Sequence, residues 1–255
     1  MLIRVILCLP FLLYACYSDI KTRRVTNKLW YPMIVLGISF LIIDVLKGGV
    51  QSLIPSLLSI TVVFLFIYLI YYLGVFGGAD AKAFIMIGLM VPMYPTITLS
   101  GYDLPLAGIP IHRIFALSVL GNCAFLSVII AVLWVLLINL VDLARDRKMP
   151  DRLFLLFLGY RKDIEGLRDS RHLRLLDRYE EMEDGSVRKR YRMGGVKIDD
   201  DLIGELEKYA ASGKIEKKVW VTPGIPLMIS ITAGFVVAVI WGDLIDILVR
   251  LSIGI

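Results

Sequence analysis

The chain has 255 residues, of which 58% are hydrophobic and 20% are charged, and its formal net charge is +5. Soluble domains usually carry about a quarter charged residues and fewer apolar ones, so this composition is typical of a membrane protein. It excludes a disordered chain and a typical nucleic-acid-binding protein. The three cysteines lie in apolar runs without metal-ligand spacing, which argues against a secreted disulfide scaffold and against a zinc module.

Six stretches carry no charged side chain, and they predict the membrane-spanning helices. A helix needs about 20 mostly apolar residues to cross the hydrocarbon core. The first two stretches are shorter, but charged residues at their ends can reach the membrane surface. The sequence therefore predicts an all-α polytopic membrane protein with six transmembrane helices, in residues 5–18, 29–43, 48–79, 83–102, 114–141 and 219–242.

The charge is concentrated in one segment, which defines the predicted domain boundaries. Residues 143–218 hold 19 of the 28 basic and 16 of the 23 acidic side chains. We interpret them as a small α+β cytoplasmic insert between helices five and six. Residues 1–142 then contain the first five helices, and residues 219–255 contain the sixth helix and the carboxyl terminus.

Short motifs inside the insert predict its secondary structure. Asp199 is a candidate helix N-cap before residues 202–209, and Gly213 suits the helix end. Asp184-Gly185 is a hairpin signal, and residues 187–191 are predicted to form the strand that follows it.

Basic residues predict the orientation. Lys21, Arg23, Arg24 and Lys28 all follow the first helix, whereas the second loop contains only Lys47. The positive-inside rule places the first loop in the cytoplasm and the amino terminus outside the plasma membrane.

Seven acids lie outside the insert, and two of them are candidates for catalysis. Asp19 and Asp80 both adjoin short loops that this topology places on the cytoplasmic side. Two neighbouring carboxylates share a proton, so one can activate water while the other polarises a peptide carbonyl. Taken singly, however, Asp80 could merely cap a helix and Asp19 could be a solvated interfacial residue.

Two motifs resemble the type IV prepilin peptidase and archaeal preflagellin peptidase family of GxGD membrane aspartyl proteases. The first is YSDIKTRRVTN at residues 17–27, and the second is GGADAK at residues 77–82. The resemblance implies that Asp19 and Asp80 are the catalytic pair. It further implies an endopeptidase that removes short basic leader peptides from preflagellin or pilin-like precursors without a metal or organic cofactor.

One motif position departs from the family. Ala79 replaces the second motif glycine, which puts in doubt any turn that needs a left-handed residue there. Gly77 and Gly78 could let a substrate strand approach, or could form a plain interhelical turn. The bacterial branch commonly carries a cysteine-bearing amino-terminal segment, and its absence here means that methylation activity is not implied.

Other residues near the motifs have structural and functional readings. Lys82 is a topology anchor or a group that orients substrate beside Asp80. Pro223 and Gly224 open the last predicted helix, either as an ordinary helix start or as unpaired backbone that binds an extended peptide. Asn27 is predicted to be the N-cap of the second helix and His112 to be an interfacial residue.

Three other function classes stay open from sequence. A presenilin-type protease would cleave inside the bilayer rather than at its edge. A proton-coupled transporter would place acids near the bilayer midplane, whereas the charge-free runs push them to the ends. A non-enzymatic membrane scaffold would present the insert to a partner and would not need Asp19 or Asp80.

Overall fold

The computed structural model describes residues 1–99, 101–146, 153–168, 170, 173–182, 186–224 and 226–254. The chain divides into two compact units. The first comprises residues 1–128 and 226–255, and the second comprises residues 129–225. Asp184 and Gly185, the predicted hairpin turn, lie outside the described residues.

The first unit is a helical bundle with one small hairpin. Its helices are α1 (Leu2–Thr22), α2 (Trp30–Gly48), α3 (Leu53–Tyr72), α4 (Gly78–Met90), the first part of α5 (Phe115–Asp146), α8 (Leu227–Ile240) and α9 (Leu244–Ser252). The hairpin pairs β1 (Ile97–Leu99) with β2 (Tyr102–Leu104).

The centre of this bundle is α4, which packs against α1, α2, α3 and α8. Its Phe84, Ile87 and Met90 side chains are fully buried, together with Phe115 and Phe235. A helix whose apolar side chains are covered on several sides occupies a core rather than a lipid-facing position. The middle and the carboxyl end of α4 are therefore enclosed by neighbouring helices.

Four helices within the described residues are long and apolar enough to cross a membrane, namely α1, α2, α3 and α5. A short 3-10 turn precedes α2 and another precedes α3, and both turns are included in these lengths. The count becomes five if α8 and α9, which are bent by 58° at a short break, form one span. Together with the composition, these helices make the chain a membrane protein.

The fold-class prediction is wrong in two respects. An all-α protein with six spans is contradicted by two β-sheets and by the count of spanning helices. The predicted fourth span breaks because Pro92 and Pro95 follow the 13-residue α4 and cannot continue a helix. The predicted sixth span breaks because its first residues form a β-strand instead.

The second unit contains the charged segment and a four-stranded antiparallel sheet in the order β3-β6-β4-β5. Its elements, besides the end of α5, are α6 (Leu155–Leu158), β3 (Tyr160–Asp163), β4 (Leu173–Glu181), β5 (Val187–Lys197), α7 (Asp200–Ala211) and β6 (Lys218–Pro223). The register pairs Arg161 with Trp220 and Arg174 with Thr222.

Two predictions for this segment are confirmed. Asp199 caps α7 through a hydrogen bond from the Leu202 N–H, and Gly213 follows the helix with a positive φ of 71°. Residues 187–191 lie in β5. The α7 side chains Ile203 and Leu206 cover one face of the sheet in a buried cluster with Val219 and Val221.

Candidate functional site

Asp19 lies in the last turn of α1, where the chain leaves the helix. Arg23 takes a left-handed conformation (φ 55°) and donates its N–H to the Asp19 carbonyl. The hydroxyls of Ser18 and Thr22 then donate to the Arg24 carbonyl at 2.7 and 3.0 Å. The Arg23 bond satisfies a carbonyl that the helix end would otherwise leave unpaired. The two hydroxyl bonds hold the chain that leaves the helix against its last turn.

Asp80 lies in the first turn of α4. Its Oδ2 accepts the Gly77 N–H at 3.1 Å, which satisfies a donor at the helix start. The helix-capping interpretation is thus part of what Asp80 does. The remaining carboxylate oxygen, Oδ1, receives no hydrogen bond from the described residues, so half of the acceptor capacity is available for other chemistry.

The two aspartates belong to helices that pack together. α1, α4 and α8 all contact one another, and Asp19 lies within electrostatic range of the Asp80 carboxyl. Asp19 Oδ2 also faces the main-chain N–H of Met228, at 3.4 Å, in the first turn of α8. The first N–H groups of a helix have no partner within the helix, so the Asp19 carboxylate gives the Met228 N–H an acceptor.

The glycine motif separates into three different roles. Gly77 has an extended backbone, and a Cβ there would lie 3.0 Å from Asp80 Oδ2. A Cβ on Gly78 would only touch the Tyr71 ring at 3.9 Å. Ala79 is an ordinary helical residue of α4, so the departure from the family motif imposes no left-handed backbone. Gly77 is the glycine that the Asp80 contact requires.

Lys82 connects α4 to the segment that follows α1. Its Nζ donates to Asn27 Oδ1 at 2.7 Å, across 55 residues of sequence. The prediction that Asn27 caps the second helix is wrong, because the side chain of Thr26 accepts the Lys28 N–H instead. The Asn27–Lys82 bond thereby links the segment after α1, which contains Asp19, to α4, which contains Asp80.

Pro223 and Gly224 lie in the second unit, whereas Asp19 and Asp80 lie in the first. Pro223 is the last residue of β6 and stands opposite Leu173 of β4. Gly224 follows the strand. Their place in a substrate site stays a prediction.

Met228 is a site residue that sequence reasoning missed. The only available signal was Pro226, which starts α8 and leaves the next N–H groups unpaired. Because the contribution of Met228 is a main-chain N–H, no side-chain pattern could have indicated it.

A second polar cluster lies at the other end of the bundle. Asp243 Oδ2 accepts the Ser118 hydroxyl at 2.7 Å and contacts His112 Nε2 at 3.1 Å. The Ile114 N–H donates to His112 Nδ1, so in a neutral ring Nε2 carries the proton. That nitrogen cannot then act as a base for Ser118, and the cluster is not a nucleophilic triad.

No group of three or more acidic, histidine or cysteine side chains within the described ranges could hold a metal ion. Carboxyl groups such as those of Asp19 and Asp80 can take a proton from water and return it.

Comparisons with known proteins agree with the two sequence motifs. A family described as "Type IV leader peptidase family" matches residues 6–135, and one described as "Archaeal Peptidase A24 C-terminus Type II" matches residues 151–244. Curated relatives include the preflagellin peptidases of Methanococcus voltae and Methanocaldococcus jannaschii. Each is 26% identical, over 91% of this chain and 92% or 91% of its own length.

The first family match contains both aspartates and covers slightly more than half of the chain. The leader-peptidase resemblance drawn from residues 17–27 and 77–82 is therefore confirmed. This protein belongs to the type IV leader peptidase family.

Proposed function

We propose that this membrane peptidase removes short basic leader peptides from preflagellin or related pilin-like precursors, with Asp19 and Asp80 as the catalytic pair. The observation that carries the proposal is that both aspartates of the family-like motifs lie on helices that pack together with the start of α8. The relatives named preflagellin peptidases supply the substrate class.

The reaction needs one ionised and one protonated carboxyl group. The ionised carboxylate takes a proton from water while the oxygen of that water attacks the scissile carbonyl carbon. The protonated carboxyl group gives a proton to the carbonyl oxygen, and a tetrahedral diol forms. Collapse of the diol breaks the C–N bond, and the leaving amine receives a proton from the first carboxyl group. The second carboxylate takes back a proton from a diol hydroxyl, whose oxygen becomes the carbonyl of the new carboxyl terminus, so both acids return to their starting states.

Each of the two acids is held by one main-chain donor. Asp19 accepts the Met228 N–H and Asp80 accepts the Gly77 N–H, so both carboxyl groups keep acceptor capacity for water or for the scissile carbonyl. Gly77 keeps room beside the Asp80 carboxylate.

We place this site on the cytoplasmic side of the membrane. Lys21 lies in the last turn of α1, and Arg23, Arg24 and Lys28 follow the helix. Positively charged loops are retained in the cytoplasm. With α1 spanning the membrane, the amino terminus then lies outside. A precursor whose apolar helix lies in the bilayer would present its polar leader to the aspartates at the membrane surface.

The test incubates membranes containing the protein with a precursor that carries a basic leader. Asp19→Asn and Asp80→Asn should each lower cleavage by roughly 100-fold or more, because general acid–base catalysis contributes about that factor. Asp103→Asn is the matched control, since that exposed acid bonds Thr98 of the β1–β2 hairpin. Membrane insertion of all three variants should be unchanged.

Substantial cleavage by both single variants would remove the aspartates from the mechanism. Mass spectrometry of the product separates the presenilin-type alternative, which predicts a new terminus inside the apolar helix rather than at its junction with the leader. A scaffold predicts no cleavage by the wild-type protein.

A further inference from the structure

The last helix, α9, is separated from α8 by a sharp bend. The two axes differ by 58°, and Gly242 in the break has a positive φ of 126°. Nine residues of helix extend about 13 Å, which is less than half of the roughly 30 Å hydrocarbon core. By its own length α9 cannot cross a membrane.

The start of α9 is held by protein contacts. Asp243 Oδ1 caps the helix by accepting the N–H groups of Ile245 and Asp246. Asn122 of α5 accepts the Leu244 N–H at 2.8 Å. Because the first turn is bound to α5, the direction in which α9 leaves the bend is defined.

The polar side of α9 is also bound to protein. Arg250 pairs with Asp246 at 2.6 Å, one turn earlier on the same side of the helix. The Arg250 guanidinium also donates to the carbonyls of Ala107 and Ile109, in the loop after β2. Both charges of the helix are therefore satisfied on the side that faces this loop.

The other side of α9 is apolar and uncovered. Ile245, Leu248 and Val249 are each about half exposed, and Leu251 is 70% exposed. Residues three and four apart share one helical face, so these positions form a stripe away from Arg250. Trp241, at the bend, is 56% exposed and has the side chain that is enriched at membrane–water boundaries.

We propose that α9 lies flat in the boundary between lipid headgroups and acyl chains, at the end of the bundle away from Asp19. Its stripe of Ile245, Leu248, Val249 and Leu251 enters the acyl region, and its Asp246–Arg250 side faces the loop. Lipid is the occupant because α9 continues directly from a bundle of apolar membrane helices. An amphipathic helix with a bound polar side and a boundary tryptophan suits that position.

Spin labels at single cysteines in vesicles test the orientation. The labelled cysteines are introduced into the Cys16→Ser variant, because the other two native cysteines, Cys8 and Cys123, are buried and do not react with the label. Labels go to Ile245, Leu248 and Ser252, which share the stripe side, and to Asp246 as the matched polar position. Collision rates with oxygen and with a water-soluble nickel chelate give the depth of each label.

A flat α9 places the three stripe labels at the same depth, within about 3 Å. It makes the Asp246 label several-fold less accessible to oxygen, which partitions into acyl chains, because that side faces the loop. A progressive change of about 10 Å from Ile245 to Ser252, which is seven residues of helix rise, would show a broken span and overturn the proposal. High nickel access at every position, or dipolar broadening from a second copy, would overturn it as well.

A second measurement needs no label on α9. Lipids brominated near the headgroup should quench the fluorescence of Trp241 more strongly than lipids brominated at the chain end. Trp241→Phe identifies its contribution among the four tryptophans. Equal quenching at both depths, or none, would contradict a helix that starts at the membrane boundary.

Discussion

Aspartates occupy both ends of the helical bundle, and their surroundings differ in kind. Among the described residues, Asp243 receives hydrogen bonds from Ser118, His112 and two main-chain N–H groups. Asp19 and Asp80 each receive one, from Met228 and from Gly77. A fully bonded carboxylate has little capacity left for a substrate, whereas a sparsely bonded one can take or give a proton. The number of partners thus distinguishes Asp243, which stabilises the fold, from the two acids of the proposed catalytic pair.

The largest effect on stability should come from the structural end. Asp243→Ala removes the cap of α9 and the acceptor of the buried Ser118 hydroxyl, which keeps only a 3.4 Å contact with His112 Nε2. We expect a loss of about 3 kcal/mol in the free energy of unfolding, from one cap and the lost acceptor of one buried hydroxyl. Unfolding in mixed micelles measures it.

Cleavage per folded molecule should stay near the wild-type value in Asp243→Ala. His112→Ala is the matched control, because it removes one partner and leaves Asp243 in place. Its effect on both stability and turnover should be small. A large loss of turnover in His112→Ala would contradict the division between a structural end of the bundle at Asp243 and a catalytic end at Asp19 and Asp80.

The next largest effect should come from Gly77→Ala. The added Cβ would meet Asp80 Oδ2 at 3.0 Å, so the carboxylate must shift. Small displacements of a catalytic group lower the rate steeply, and we expect a fall of roughly 30-fold in kcat. Gly78→Ala is the control and should stay within about 2-fold, because its Cβ finds only ordinary contact. Equal effects of the two substitutions would show that the Gly77–Asp80 contact does not matter.

Breaking the Lys82–Asn27 link between α4 and the segment after α1 should have a smaller effect. Lys82→Met breaks the bond to Asn27 and should lower kcat by about 3- to 10-fold, with little change in KM, since an exposed charged hydrogen bond contributes about 1 kcal/mol. Asn27→Asp keeps an acceptor for Lys82 and should retain activity, whereas Asn27→Leu should reproduce Lys82→Met. A change in KM alone would point to substrate binding rather than positioning.

Asp177, in the second unit, is a buried acid whose protonation should make the stability of that unit depend on pH. β4 leaves its regular register with β5 between Leu175 and Asp177, and the Asp177 carboxylate accepts the Trp220 N–H at 2.8 Å. Burial raises the pKa of Asp177 above its ordinary value, although the bonds from Trp220 and Lys189 oppose this.

A raised pKa means that the folded state binds the proton more tightly than the unfolded state. The resulting stabilisation is complete below the unfolded pKa and is lost as the pH rises through the folded pKa. Asp177→Asn should therefore flatten the pH dependence of stability in the second unit. Hydrogen exchange of the β4 peptide, corrected for its intrinsic rate at each pH, measures this. Identical pH profiles for the two proteins would contradict the assignment.

Charge and hydropathy predicted the long helices because a helix in lipid must consist mostly of apolar residues, and this is visible in the composition. The runs at 5–18, 29–43 and 114–141 all fall inside or nearly inside α1, α2 and α5. The same criterion failed where hydrogen bonding decides the structure. Residues 219–223 carry no charge and yet pair as a strand, and Pro92 ends a segment whose composition suits a span.

Two motifs were enough to indicate the family and to select Asp19 and Asp80, because both motifs are local in sequence. In the first, basic residues follow a carboxylate, and in the second, a glycine turn precedes one. The packing of α8 against α1 was not predictable in this way, since Asp19 and Met228 are 209 residues apart and one partner is a main-chain N–H. The pairing of Lys82 with Asn27 and the four bonds on Asp243 likewise join distant segments. Such contacts depend on how helices meet in three dimensions, and no periodicity along the chain records that.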